Sequence, residues 1–274
     1  MKASYLFSDI DGTLIGEDKI LSAENIEAIN AFRAAGGRVS LATGRSIHMS
    51  KRFADVIIPD FPAVLFNGAM IYDFEKEKVL WCARLPAYSR PLVEQVLNDF
   101  KDVCAEIMTA DLSYIVQPNA YSEEHVVGEE FEYKLCALDN VPDDWCKVIF
   151  ITSPKRIPEL MSYLDAQSIL YCENQKEEEN KLSFIQSSEF FYEMLPFGCS
   201  KGQAVKKICG IMGLDLSSIA AIGDYFNDMD MVEMAGVSAA PANACIPVRE
   251  RADIVLQNDG RTAVAELIGH LLAT

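Results

Sequence analysis

The chain has 274 residues, with 24 Lys and Arg against 41 Asp and Glu, and its formal net charge is −17 at pH 7. Half of the residues are hydrophobic and 24 % are charged, which excludes a disordered chain. The acidic balance argues against nucleic acid and anionic membranes as partners, because both require a basic face. The eight cysteines show no Cys-x-x-Cys spacing, and the first residues lack a secretory leader pattern. We therefore expect a cytoplasmic enzyme.

The first 70 residues alternate between strand and helix patterns. Short apolar runs that end at polar residues predict buried parallel strands at 5–7, 39–42 and 63–66. Helical patterns separate them, one over 22–35 and one through Met49 and Phe53. This order predicts right-handed βαβ units around a parallel sheet.

The last 75 residues resume the same alternation. A capping pattern at Ser200 opens a helix, and a final helix covers 262–272. Between them we predict strands at 219–222, 236–239 and 253–256.

The middle of the chain has a different pattern. A hairpin is predicted from 70–73 and 79–82, with a polar turn between the two strands. Beyond it, helical and strand patterns are mixed, which predicts an α+β unit over residues 84–188 inserted into the α/β domain. This segment has 9 basic and 19 acidic residues, a net charge of −10.

Two acidic clusters follow predicted strands, where ligands bind in open parallel sheets. Asp9 and Asp11 stand at i and i+2 after the first strand, so both side chains can address one site. Such close carboxylates repel each other unless a cation or a shared proton relieves them. Gly12 allows a close approach of the backbone to a ligand, and the amides after it can bind an anion.

The second cluster consists of Asp224, Asn227 and Asp228, at i, i+3 and i+4. Hard oxygen ligands of this kind suit Mg²⁺. Each cluster alone could equally be a helix cap or an acidic turn, but two clusters after apolar strands favour a site. Thr43 offers a hydroxyl after the second strand. Lys201 begins a helix, where the helix dipole disfavours a cation; it is either a surface lysine or a ligand for an anionic substrate.

Four motifs in this order resemble those of the haloacid dehalogenase-like superfamily. They are Asp9-Ile-Asp11-Gly-Thr-Leu, Leu41-Ala-Thr43-Gly-Arg45, Ser200-Lys201-Gly202 and Gly223-Asp224-x-x-Asn227-Asp228. The large insert between the second and third motifs, and Asn67-Gly68-Ala69, resemble the Cof-type sugar phosphatases with a type IIB cap. The resemblance implies a Rossmann-like parallel-sheet core over 1–83 and 189–274, and an inserted α+β cap over 84–188.

The resemblance also implies a role for each motif residue. Asp9 would be the nucleophile that forms an aspartyl-phosphate, and Asp11 would act as general acid and base. Mg²⁺ would be held by Asp9, by the carbonyl of Asp11 and by Asp224, with Asp228 binding it directly or through water. The residues implied to bind the phosphate are Gly12, Thr43, Gly44, Lys201 and Asn227. Substrate contacts would come from Arg45 and Asn67.

The predicted function is a Mg²⁺-dependent phosphatase of small phosphorylated metabolites, with sugar phosphates first. A phosphomutase that uses the same intermediate is an alternative, and so is a phosphometabolite-binding module without turnover. The inserted unit would act as a cap that excludes water from the site and recognises the leaving group of the substrate. Its charge of −10 predicts a leaving group that is neutral and polar.

Overall fold

The computed structural model describes residues 3–129, 131–174 and 181–273. The strands are β1 (Tyr5–Ser8), β2 (Arg38–Leu41), β3 (Ala63–Leu65), β4 (Met70–Asp73), β5 (Lys78–Cys82), β6 (Cys104–Met108), β7 (Ser113–Val116), β8 (Tyr133–Leu135), β9 (Lys147–Ile151), β10 (Leu182–Gln186), β11 (Phe191–Pro196), β12 (Ile219–Ile222), β13 (Val237–Ala240) and β14 (Ile254–Val255). The α-helices are α1 (Ala23–Ala34), α2 (Ile47–Ile57), α3 (Ser89–Asp99), α4 (Ala120–Glu129), α5 (Ile157–Asn174), α6 (Lys201–Met212), α7 (Met229–Met234), α8 (Ile246–Arg251) and α9 (Ala263–Leu272).

The chain divides into two compact units. The first, here called the core unit, holds the residues up to Arg45, then Ser50–Trp81, and the chain from Ser200 onwards. The second, here called the inserted unit, holds Ser46–Met49 and Cys82–Cys199. In the described part of the chain, no helix combines the length and apolarity needed to cross a bilayer.

The core unit is built on a five-stranded parallel sheet in the order β14-β13-β12-β1-β2. Its strands are short apolar runs whose residues are almost all buried, as Leu6, Phe7 and Ile222 illustrate. Burial of one such large side chain stabilises the fold by about 1.5–3 kcal/mol. The predicted α/β architecture with a parallel sheet is confirmed.

Helix α6 shows how local sequence sets an element of the core unit. It begins after Ser200, whose hydroxyl accepts the backbone N–H of Gln203 at 3.2 Å. It ends at Gly213, whose φ of 68° is the left-handed conformation of a helix C-terminus. Between these ends, Val205 and Ile208 are completely buried beside β1 and β12 residues. The cap positions therefore determine where Lys201 lies, at the first position of the helix.

The third predicted strand runs parallel to the end of β2, as expected, but it also forms part of a second sheet. β3 belongs to a three-stranded sheet in the order β3-β4-β5, and it pairs with β4 in antiparallel orientation. It meets the chain after β2 through the bridge between Ala42 and Val64. The backbone reverses directly after β3, where Phe66 and Asn67 have φ of 51° and Gly68 has φ of 96°. This left-handed turn directs the chain back along β3.

The inserted unit contains a six-stranded sheet in the order β10-β11-β9-β6-β7-β8. Neighbouring strands in this sheet are antiparallel except β7 and β8, which are parallel. One face carries alternate residues such as Ile107, Val148 and Phe150, which form a hydrophobic cluster with residues of α3 and α5. The predicted mixture of helices and strands is found there, although β6, β7, β8 and α4 were not predicted.

The boundary between the units differs from the expected one. We expected the insert to end at residue 188, but β11 pairs with β10 on one side and with β9 on the other. A strand inside a sheet belongs to that sheet, so residues 189–199 are part of the inserted unit and the core resumes at Ser200. At the other end, the inserted unit begins at Cys82 rather than at residue 84.

Candidate active site

The predicted site residues of the core unit follow its strands. Asp9 comes directly after β1, Thr43 follows β2, and Asp224 follows β12. These three strands are neighbours and parallel, so their carboxyl ends lie at one edge of the sheet. The following contacts show which side chains meet there.

Lys201 connects the first and last motifs. Its Nζ lies 2.8 Å from Oδ1 of Asp9 and 2.6 Å from Oδ1 of Asp228. All three side chains are buried, so the two ion pairs are weakly screened by solvent. Burial alone would lower the pKa of Lys201, but Asp228 and Asp9 raise it, which keeps the ammonium group charged. The surface-lysine interpretation is therefore wrong.

The start of α6 is held in place by an acidic residue that the sequence analysis did not select. The carboxylate of Asp230 accepts the N–H of Gly202 at 3.1 Å and the hydroxyl of Ser200. A Cβ at Gly202 would lie 2.6 Å from Oδ2 of Asp230. This close contact explains the glycine directly after Lys201, because any side chain there would displace Asp230.

Asp9, Asp224 and Asp228 form a group that can hold a metal ion. Each offers one carboxylate oxygen, and these oxygens lie within 4.8 Å of one another. Burial raises the pKa of Asp9 to about 7, with Asp228 as the next cause and Lys201 in opposition. Burial and the neighbouring Asp9 likewise raise the pKa of Asp224 well above its ordinary value. One lysine therefore does not balance three carboxylates, and a cation would relieve the excess charge.

Both oxygens of Asp228 have partners within the protein. Oδ1 accepts Lys201, and Oδ2 accepts the backbone N–H groups of Asp224 at 3.0 Å and Tyr225 at 3.2 Å. A Cβ at Gly223 would lie 2.3 Å from Cγ of Asp228. Asp228 therefore shapes the turn that presents Asp224.

Asp11 takes part in a separate ion pair. Its two oxygens accept Nε and Nη2 of Arg45, at 2.7 Å each, and Oδ1 also lies 2.9 Å from Nζ of Lys19. Desolvation alone would raise the pKa of Asp11, but Arg45, followed by Lys19, outweighs it and holds the pKa well below its usual range. Two different sets of cations therefore relieve the repulsion between the two side chains: Lys201 pairs with Asp9, while Arg45 and Lys19 pair with Asp11.

Gly12 lies against the carboxylate of Asp224. Its φ is 71°, and a Cβ at this position would lie 2.4 Å from Oδ2 of Asp224. The carbonyl of Gly12 accepts Nδ2 of Asn243 at 2.8 Å, while Oδ1 of Asn243 accepts the N–H of Gly260 at 3.0 Å. Asn243 thus ties the loop after β1 to the chain before α9. Asn243 was not among the predicted residues, although it follows strand β13 as the other site residues follow their strands.

The remaining predicted residues form a polar network beside Thr43. The hydroxyl of Thr43 accepts the N–H of Arg45 at 3.2 Å, and its carbonyl accepts the N–H of Asn67. A Cβ at Gly44 would lie 3.0 Å from Oδ1 of Asn67, the same oxygen that accepts Nδ2 of Asn227 at 3.1 Å. The buried Oδ1 of Asn227 accepts no hydrogen bond from the residues that the structure describes.

A family model described as haloacid dehalogenase-like hydrolase matches residues 6–268. The chain belongs to this family. The predicted family and the predicted class of enzyme, a phosphatase, are confirmed.

Two curated relatives of this haloacid dehalogenase-like hydrolase match nearly its whole length. The 5-amino-6-(5-phospho-D-ribitylamino)uracil phosphatase YwtE of Bacillus subtilis (strain 168) is 26% identical over 97% of this chain and 96% of its own. The pyridoxal phosphate phosphatase YbhA of Escherichia coli (strain K12) is 26% identical over 99% of this chain and all of its own.

A solved structure described as the HAD subclass IIB sugar phosphatase BT4131 superposes with a TM-score of 0.83. It is 19% identical, and the match covers 99% of this chain and 100% of that one. At this identity the similarity establishes the fold: a Rossmann-like domain with an insert.

Proposed function

We propose that this hydrolase is a Mg²⁺-dependent phosphatase of small phosphorylated metabolites that works through an aspartyl-phosphate, with sugar phosphates as the first substrates to test. The observation that carries the proposal is the buried Lys201 between Asp9 and Asp228, inside a group of carboxylates that can hold a metal. The relatives support the substrate class, since their names refer to phosphorylated small molecules.

The donor set fits Mg²⁺. Asp9 and Asp224 would bind it with carboxylate oxygens and Asp11 with its carbonyl, which are the hard ligands this ion prefers. Asp228 would act indirectly, because Lys201 and two backbone N–H groups already occupy its oxygens. When bound, the ion would neutralise the repulsion between a phosphate ester and the carboxylates.

Asp9 would act as the nucleophile. One of its carboxylate oxygens attacks phosphorus, and the bond from phosphorus to the ester oxygen breaks, which leaves a phosphoryl group on Asp9. Lys201 favours the ionised form of Asp9 that this step requires, and it offers an N–H group to the phosphoryl oxygens. Thr43, Gly44 and Asn227 would bind the phosphoryl oxygens, together with the backbone of Gly12.

Asp11 would give a proton to the leaving oxygen and later take one from the attacking water. Its ion pair with Arg45 keeps it ionised, which suits the second step and opposes the first. An anionic phosphate ester competes for the same guanidinium. We therefore assign Arg45 a role as a substrate contact. When its guanidinium pairs with the phosphate instead of with Asp11, Asp11 can hold a proton. Asn67 would help to orient Asn227.

The decisive experiment measures phosphate release from a panel of phosphorylated sugars, nucleotides and cofactors with Mg²⁺. We expect steady release, and at least about a thousandfold loss in Asp9→Asn because asparagine lacks the carboxylate oxygen that would attack phosphorus. Asp215→Asn is the matched control, since Asp215 caps a surface turn and should tolerate the same change. Isomeric sugar phosphate without net release would indicate the mutase, and tight phosphate binding without turnover would indicate the binding module. Turnover retained in Asp9→Asn would falsify the nucleophile assignment.

The same panel tests the predicted leaving group. The net charge of −10 in residues 84–188 predicts that monophosphates with neutral, polar leaving groups react faster than bisphosphates. A preference for polyanionic esters would contradict this. The cytoplasmic location and the absence of nucleic-acid and membrane partners stay predictions from the sequence.

A further inference from the structure

Two cysteines of the inserted unit lie side by side although they are far apart in the sequence. Cys82 ends β5, and Cys146 directly precedes β9. The two sulfur atoms are brought together by contact with one and the same guanidinium nitrogen. The guanidinium of Arg84 contacts Cys82 through Nη1, and the same nitrogen lies 3.1 Å from Sγ of Cys146. The backbone N–H of Leu85 donates to the carbonyl of Trp145 at 2.8 Å, which holds the two segments together.

The two thiols differ in the way that a reactive cysteine and its resolving partner differ. Cys82 is partly exposed, whereas Cys146 is buried. The hydrogen bond from Cys146 lowers the pKa of Cys82 to about 7, and Arg84 adds to this effect against desolvation and Asp144. A thiolate that is accessible, next to a cation and next to a second thiol is the usual environment of a redox-sensing cysteine.

Other buried cysteines of the chain have the opposite character. Burial raises the pKa of Cys104 to about 12, and burial also raises the pKa of Cys209. Both therefore stay protonated at neutral pH, and a protonated thiol is a poor nucleophile. Reactivity towards oxidants should accordingly concentrate at Cys82.

We propose that Cys82 and Cys146 are a redox modification site that forms a reversible disulfide when a peroxide oxidises Cys82. The Cys82 thiolate attacks one peroxide oxygen, the O–O bond breaks, and hydroxide leaves, so the sulfur becomes a sulfenic acid. The neighbouring Cys82 thiolate, followed by burial, raises the pKa of Cys146, so Cys146 keeps its proton until Cys82 is oxidised. Oxidation removes that thiolate, and the sulfur of Cys146 then attacks the sulfur of Cys82; the S–O bond breaks, and the hydroxyl leaves with the proton of Cys146 as water. An external dithiol reverses the change by two thiol–disulfide exchanges.

The disulfide would covalently join the segment after β5 to the strand β9 in the middle of the sheet. In a reducing compartment, disulfides of this kind are transient and serve sensing rather than structure. None of the residues involved belongs to the proposed phosphatase site, so this inference is independent of the proposed function. The two can be tested separately.

The first test treats the purified protein with hydrogen peroxide and maps its peptides without reduction. The expected result is a Cys82–Cys146 cross-linked peptide that disappears with a dithiol. In Cys146→Ser, the resolving thiol is missing, so Cys82 should instead be trapped by dimedone as a sulfenic acid. Cross-links between other cysteines, or direct passage of wild-type Cys82 to a sulfinic acid, would overturn the proposal.

The second test does not depend on substituting a buried residue. At pH 7, iodoacetamide should modify Cys82 about tenfold faster than Cys136, which is also partly exposed, because Arg84 lies beside Cys82 and the lowered pKa of Cys82 increases its thiolate fraction. Arg84→Met should lower the rate at which iodoacetamide modifies Cys82 severalfold, and Arg84→Lys should restore part of that rate. Equal rates at Cys82 and Cys136 would also overturn the proposal.

Discussion

Arg45 binds Asp11 through two hydrogen bonds of 2.7 Å each, one to each carboxylate oxygen. The side chain of Arg45 is 4 % exposed and that of Asp11 is 39 % exposed, so the pair lies at the edge of the buried site. The guanidinium also lies 5.3 Å from the ring centroid of Phe53. A buried arginine is thus held in place between an aromatic ring and the residue that would handle the proton.

Arg45→Met should destabilise the protein in a pH-dependent way. The pKa of Asp11 is lowered in the folded protein, so the pair stabilises the fold above the ordinary aspartate pKa of about 3.9 and loses its effect as pH falls below it. We expect the free energy of unfolding to fall by about 1–2 kcal/mol at pH 7. This value is small for a charged pair because Asp11 is partly exposed and solvent screens its interaction with Arg45. The loss should shrink at pH 3.5 in urea unfolding. Arg52→Met is the control, since Arg52 is exposed and also lies over Phe53. An equal loss at both pH values would contradict the assignment.

Asp224→Asn should separate metal binding from folding. Because burial and Asp9 raise the pKa of Asp224, its ionised form costs folding free energy at neutral pH, and the variant should be at least as stable as the wild type in EDTA. Saturating Mg²⁺ should raise the wild-type Tm by about 5 °C and leave the variant nearly unchanged. Calorimetry with and without Mg²⁺ measures both effects. The metal assignment fails if Mg²⁺ stabilises both proteins equally.

Gly12→Ala adds only one methyl group but should lower kcat/KM strongly. The added Cβ would lie 2.4 Å from Oδ2 of Asp224, at a φ of 71° that disfavours a side chain. Displacement of the carboxylate by about 1 Å should cost at least about a hundredfold in kcat/KM. Gly210→Ala is the control: this glycine is exposed within α6 with open space around it, and alanine should stabilise the helix by about 0.5–1 kcal/mol. Similar activity losses in both variants would contradict this prediction.

Lys147→Met tests the buried ion pair of the inserted unit. Nζ of Lys147 lies 3.0 Å from Oε2 of Glu193, and both side chains are almost fully buried. Removal of the cation should cost about 3–5 kcal/mol, because it leaves a buried carboxylate without its counter-ion. The double variant with Glu193→Gln should be more stable than the sum of the single losses predicts, by at least about 1 kcal/mol in urea unfolding. Lys51→Met, in an exposed pair with Asp55, should change stability by less than about 0.5 kcal/mol. Additive losses at Lys147 and Glu193 would show that the two residues are not coupled.

Much of the fold was predictable because it depends on local pattern. The apolar runs that became β1 and β12, and the N-terminal cap of α6, act over a few residues, and the structure places these elements as predicted. Local pattern did not predict the backbone reversal directly after β3, which pairs β3 with β4 in antiparallel orientation. A phenylalanine with φ of 51° is disfavoured by local sterics, so Phe66 adopts it through tertiary packing, which local propensity does not contain.

The end of the inserted unit could not be predicted for a related reason. β11 is a short strand that was not predicted, and the insert was expected to end before it. Its membership depends on the partners β9 and β10, and a strand's pairing partner is not encoded within the strand itself. Asn243 was missed because its function lies in two backbone contacts, to Gly12 and Gly260, that come from loops far away in the chain.

By itself, the sequence determined the family and the residues that gather at the strand ends, since carboxyl ends of neighbouring parallel strands lie at one edge of a sheet. Only the tertiary structure decided which basic side chain pairs with which carboxylate. Lys201 binds Asp9 and Asp228, while Arg45 binds Asp11. Charge pairing depends on distances of a few ångströms and on exclusion of water, and packing alone sets both. For this reason two aspartates separated by one residue have opposite pKa shifts.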